Sequence, residues 1–191
     1  MKYLIVLTDG AAGRPVDEIG GKTALEAADM KCIDSFAARG EMGMVKTVPE
    51  GMAPGSDVAN LSVMGYAPEI YHTGRSPLEA ASMGIDMSPA DVSFRCNLIT
   101  VTGDGAYDDL TIKDHSSGDI SNEEAEELIR FIGENLSTDE IQFYPGVSYR
   151  HVMVVHGGST DYDLTPPHDV LEQRVGPNLP KGEGAEYLTE L

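Results

Sequence analysis

Residues Tyr3 to Leu7 form an uninterrupted apolar run that stops at Thr8-Asp9-Gly10. Apolar and polar positions do not alternate within it, so it predicts a strand covered on both faces, as in a parallel sheet. Such a strand demands neighbours on both sides. In open α/β sheets ligands collect beyond the carboxyl ends of the strands, and Asp9 falls at that point. Residues 11–21 are glycine-rich and read as a loop. Asp29 to Arg39 reads as a helix with Ile33, Phe36 and Ala37 on one face and Gly40 closing it. Gly43 to Val48 is a second, short strand candidate.

Residues 49–55 hold two prolines and two glycines and predict a loop. Ser56 follows at once, and Val58, Leu61, Val63 and Met64 give a short helix ending at Gly65. Residues 68–77 read as a further loop, with Pro77 starting a helix through Ala81. The pattern changes near Ser88-Pro89. Phe94 to Val101 reads as a strand and Ala106 to His115 as its partner. Ser121 with Glu124 gives a capping box, and the helix after it carries Ala125, Leu128, Ile129, Ile132 and Leu136 on one face. Gln142 to Tyr144 and Tyr149 to Val155 read as strands joined through Pro145-Gly146. This β–β–α–β–β order marks a separate α+β unit. The chain is then loop-rich to Gly184, after which a helix begins.

Charge narrows the partners. With 13 basic and 32 acidic residues the net charge is −19. Such a surface repels nucleic acid and anionic membrane, which need Lys and Arg to neutralise their phosphates. An anionic substrate therefore needs a site built locally from a few cations, backbone N–H groups or metal ions. Two distant cysteines, Cys32 and Cys96, form no metal or disulfide framework and suit a reducing, cytoplasmic setting. No stretch approaches the ~20 apolar residues of a membrane span.

Few residues can carry chemistry. Ser56 at a helix start is reachable, and the N–H groups there favour a neighbouring anion; it reads as a nucleophile or as a helix cap. Asp9 reads as a metal ligand or a turn residue. Histidines at 72, 115, 151, 156 and 168 show no metal-ligand spacing. Arg150 and His151 are adjacent in a strand pattern, so a regular strand turns them to opposite faces. His168 follows Pro166-Pro167, where the chain is extended. Arg75 and Arg95 are further cations suited to a phosphate through the planar guanidinium fork.

Six segments carry a resemblance: LTDGAAGRPVDEIGGKTALEAA, PGSDVANLSVMGY, HTGRSPLEAASMGI, FRCNLITV, GVSYRHVMVV and TPPHDV. In this order they resemble the archaeal-type cofactor-independent phosphoglycerate mutases, along nearly the whole chain. The resemblance implies an α/β fold: an incomplete alkaline-phosphatase-like parallel-sheet domain over 1–88, an inserted α+β substrate domain over 89–183, and a return segment over 184–191. It implies interconversion of 3-phosphoglycerate and 2-phosphoglycerate, in glycolysis or gluconeogenesis, without 2,3-bisphosphoglycerate. Ser56 would form the phosphoserine intermediate. Two divalent ions are implied, usually manganese with magnesium, zinc or cobalt as alternatives, and Asp9 and Ser56 would be metal ligands. Arg150, His151, His168 and Arg95 would hold the substrate, with no macromolecular partner beyond a homo-oligomer. A sister phosphotransferase or phosphatase, or a non-catalytic binding fragment, is the alternative.

Two departures accompany the resemblance. The family usually reads DYSAGHIS where this chain has residues 114–121, so Asp119 stands at the family histidine and His115 at a tyrosine. Family chains also continue further, with the remaining metal-binding Asp and His residues in the later half. The 191-residue chain alone is therefore expected to lack mutase activity, and its first ~85 residues to be only partly ordered, since a buried strand needs neighbours.

Overall fold

The computed structural model describes residues 2–8 and 10–191. Met1 and Asp9, the latter expected as a metal ligand, lie outside the described residues. The chain divides into two compact units, residues 1–47 and 48–191.

In the first unit a 3₁₀ turn spans Asp17–Ile19. Helix α1 (Ala24–Ala27) is capped by Thr23: its hydroxyl accepts the Glu26 N–H while the Glu26 carboxylate accepts the Thr23 N–H, a reciprocal box. Helix α2 (Lys31–Ala37) matches the expected helix, and the Gly40 N–H closes it on the Phe36 carbonyl at 2.8 Å. The expected strands are absent. Described residues of Tyr3 to Leu7 and Gly43 to Val48 have no strand pairing, and Tyr3 and Leu4 are each 87% exposed. The physical reason is the one the sequence carries: an apolar strand holds its shape only between neighbours, and none of the described strands lies in this unit.

The second unit opens with three helices, α3 (Ser56–Val63), α4 (Pro68–Tyr71, with Pro68 at its first position) and α5 (Arg75–Ser82). Strand β1 (Val92–Asn97) follows, then β2 (Thr100–Thr102), β3 (Thr111–Asp114), helix α6 (Asn122–Leu136), β4 (Ile141–Val147), β5 (Arg150–Val155) and a final short helix α7 (Glu186–Glu190). The strand expected over 94–101 is thus two strands: pairing with β5 runs to Asn97, and from Thr100 the chain pairs with β3 instead. β1, β5 and β4 form an antiparallel sheet in that order, and β2 and β3 pair separately. The mixed helix-and-sheet class is as expected; a parallel pair is not found among the described strands.

Register decides which side chains share a face. Arg95 lies opposite Val152 and Asn97 opposite Arg150, so these four face one way, with Val154. Ala80 of α5 packs on that face against Val152 and Val154, with Ile85, Met87 and Tyr144 at the margin. Ser76 of α5 donates to the Ser93 carbonyl at 2.6 Å. This seam joins α5 to the sheet within the second compact unit, residues 48–191. A second cluster, Ile112, Val170 and Val175, is closed by Ile99, Val101, Leu110 and Leu179.

Candidate active site

Ser56 is the first residue of α3. Its N-cap is Gly55, in extended conformation (φ −161°, ψ 150°), and no side chain caps the helix. The hydroxyl therefore does not serve as a cap, and Ser56 is exposed. Of the two readings left open by the sequence, the capping one loses its geometric basis.

Asp57 is the next residue and behaves differently. Its side chain is 12% exposed, and its Oδ2 lies 2.5 Å from Nε2 of His72, itself 18% exposed. A carboxylate only accepts, so Nε2 carries the proton and donates. The Arg75 Nε lies 3.4 Å from Oδ1. Burial pushes the Asp57 carboxyl up. The His72 hydrogen bond, its own backbone N–H and the Arg75 charge outweigh that and hold it below the ordinary range. Three helix ends thus meet on one carboxylate: the start of α3, the residue after α4, and the start of α5.

Arg75 also lines a cavity of about 770 Å³ beside β1. Arg95, Asn97 and His168 line it too, as do Phe94, Ile132, Phe143 and Leu164. Arg95 pairs with Glu79 at 3.2 Å and stays a quarter exposed. The Asn97 Oδ1 is buried without a hydrogen-bond partner. Next to it in register is Arg150, whose guanidinium lies over the Tyr149 ring at 5.6 Å. His115 stands edge-on to Tyr149 at 5.7 Å and to His168 at 6.3 Å between ring centres. Arg150 and His168 are therefore linked through Tyr149 and His115.

His151 does not join them. It is 1% exposed and turns to the other face, opposite Cys96. Its Nδ1 accepts the Gly146 N–H at 3.0 Å. That contact needs glycine: a Cβ on Gly146 would lie 2.1 Å from the Arg150 carbonyl oxygen. Burial lowers the His151 pKa, which favours the neutral ring. The expectation of a phosphate approached by Arg150, His151 and His168 together is corrected here, for the reason strand geometry gives. Cys96, opposite it, is partly buried, and loss of water around the thiol pushes it up to about 11.

The loop holding His115 is organised by Asp114. Its carboxylate accepts the Ser116 N–H and Oγ–H at 2.8 Å each and the Gly118 N–H at 2.7 Å. Ser117, Gly118 and Asp119 then take positive φ, and Asp119 is exposed.

The sequence points to Asp9, Ser56, Arg75, Arg95, Arg150, His151 and His168, but gives Asp57, Asn97 and Tyr149 no role. Adjacency to Ser56 was the one available signal for Asp57. A metal centre is not assembled by the described residues: no group of three or more His, Cys, Asp or Glu could hold an ion, and the carboxylate beside Ser56 is already engaged by His72 and Arg75.

The family model of 2,3-bisphosphoglycerate-independent phosphoglycerate mutase matches residues 37–191. A Geobacter sulfurreducens protein, "Probable 2,3-bisphosphoglycerate-independent phosphoglycerate mutase", is 52% identical over 191 residues, which is 100% of this chain and 47% of that protein. A Methanosarcina acetivorans 2,3-bisphosphoglycerate-independent phosphoglycerate mutase is 48% identical over 192 residues, again 100% of this chain and 47% of the relative. A solved Pyrococcus horikoshii protein superposes with a TM-score of 0.61 at 28% identity, over 77% of this chain and 35% of its own. The chain thus spans about half the length of the curated relatives it matches.

Proposed function

We propose, from the premise that this chain belongs to the 2,3-bisphosphoglycerate-independent phosphoglycerate mutase family, that it supplies the phosphoryl-accepting serine and most of the glycerate site of a protein interconverting 3- and 2-phosphoglycerate. The observation that carries the reading is the uncapped Ser56, tied through Asp57 and Arg75 to a cavity bearing Arg95 and His168. In a chain of net charge −19, such a gathering of cations suits an anion.

In this reading the Ser56 Oγ attacks the phosphorus, the bond to the C3 oxygen breaks, and that oxygen takes up the serine's proton. Glycerate stays bound, and its C2 hydroxyl oxygen attacks the phosphoserine, returning a proton to Ser56. Arg95, Arg150 and His168 hold the carboxylate and phosphate, the guanidinium forks matching both. Segment 89–183 keeps the glycerate in place between the two steps. Divalent ions, manganese first, belong to the proposal for a protein in which this chain is extended to the full length of its relatives (the longer protein), where they would make serine a better nucleophile; Asp9 and Ser56 are the residues of this chain assigned to them. A cytoplasmic setting is part of the same reading.

A coupled enolase assay with manganese tests it. The longer protein is expected to turn over and its Ser56→Ala variant to fall to background, while the 191-residue chain alone shows no turnover. Activity of the Ser56→Ala protein would overturn the proposal. Turnover of the chain alone near the median enzyme rate of ~10 per second would overturn the part that assigns metal ligands beyond it.

A further inference from the structure

We infer that Arg75 is a phosphate-contacting residue of the Ser56 site and that Asp57 and His72 are the positioning residues that aim it. The inference rests on the assignment of Ser56 as phosphoryl acceptor; it gives Arg75, so far only a cation suited to a phosphate, a place at that serine, and gives Asp57 and His72 a first role.

A side chain only 12% exposed is an unfavourable place for a negative charge unless partners fix it. Asp57 has two, and they come from separate helices. His72, just past α4, donates to Oδ2 at 2.5 Å. Arg75, the first residue of α5, sets Nε 3.4 Å from Oδ1. An arginine has five N–H donors in a rigid fork. Pairing through Nε leaves the Nη groups off the Asp57 carboxylate; one Nη lies against Gly55, and the side chain is half exposed at the cavity wall.

Gly55 fits this account. A Cβ there would lie 2.4 Å from the Asp57 Oδ1 and 3.3 Å from an Arg75 Nη nitrogen. Both charged groups therefore lie against the backbone immediately before Ser56. Its φ of −161° is open to any residue, so close approach, not backbone strain, calls for glycine. An anion bonded to or beside Ser56 meets the helix-start N–H groups on one side and the Arg75 fork on the other.

Titration of the 191-residue chain with inorganic phosphate, followed by NMR of the arginine Nε and histidine ring signals, tests the assignment. Shifts at Arg75 and His72 along with Ser56 are expected. Arg75→Gln should weaken phosphate by about tenfold, the worth of one charge-assisted hydrogen bond. Arg75→Lys should recover only part, because it keeps the charge without the fork. Asp57→Asn decides between positioning and plain electrostatics. Removing a negative charge beside the site should tighten phosphate if Asp57 is only a nearby charge. It should weaken phosphate if Asp57 aims Arg75, which is the result expected.

Tighter binding by Asp57→Asn overturns the positioning role. Shifts confined to Arg95 and His168 overturn the assignment of Arg75 while leaving the cavity reading intact. No shift anywhere at saturating phosphate overturns both. If Asp57→Asn loses its native spectrum, the two Arg75 variants decide the assignment.

Discussion

His151 and Arg150 are neighbours in sequence with opposite surroundings, and the difference has a pH signature. His151 is buried with its Nδ1 accepting the Gly146 N–H, and burial lowers its pKa. The unfolded chain therefore binds a proton that the folded chain refuses. Stability contributed this way is present above the unfolded histidine value of ~6.5 and is lost as pH falls through it. Asp57 and Asp114 have lowered values and add stability that is lost further down, as pH falls below the ordinary carboxylate range. Urea midpoints measured from pH 8 to pH 5 should decline, and His151→Gln should flatten that first decline. An unchanged slope in the variant would show that His151 is not its source. Strand alternation in the sequence already implied that Arg150 and His151 part company. Which of the two is buried was not legible, because it depends on α5 and α6 covering different faces of the sheet. The Asp57 cluster was illegible for a similar reason: its members lie 15 and 18 positions apart, and only the turns between α3, α4 and α5 bring them together.

At the scale of elements, local signals fared best. Ser121 caps α6, accepting the Glu124 N–H at 3.3 Å while donating its hydroxyl to the Glu124 carboxylate. Ser121→Ala should cost ~1 kcal/mol. Ile129, on the buried face of that helix, is 1% exposed, and Ile129→Ala should cost ~2–5 kcal/mol. Chemical denaturation of both variants checks the order; a larger loss from Ser121→Ala would mean that α6 is held by its end rather than by its face. These features were readable because cap and amphipathic face lie within a few turns of one another. The strand expected over Tyr3 to Leu7 was not realised, since its stability resides in neighbours far away in sequence. The hairpin of β4 and β5 was read with the wrong turn. Pro145 and Gly146 sit at a register shift inside β4, and the reversal is made at Ser148 (φ 53°) and Tyr149. The Gly146 contact with the His151 ring supplies the reason, and it becomes visible only once both strands are paired.

Across the whole molecule the two units differ in how they bury apolar surface. The described core is drawn from residues 58–185, whereas Tyr3, Leu4 and Val6 are 75–87% exposed. Amide exchange should accordingly be fast over 3–7 and slow over 152–155; equal protection would contradict the burial pattern. The functional account concentrates in the second unit, where Ser56, the cavity and the cations all lie. Its central claim is that Ser56 carries the phosphoryl group. The neighbouring hydroxyls are poorer candidates: Ser76 already donates to the Ser93 carbonyl and accepts from the Ser93 hydroxyl, and Ser62 lies within α3, away from its N–H-bearing start. The direct test is to incubate the longer protein with 3-phosphoglycerate and manganese, quench in acid, and map the phosphopeptide. The account predicts phosphate on Ser56; phosphate on Ser62 or Ser76 would contradict it.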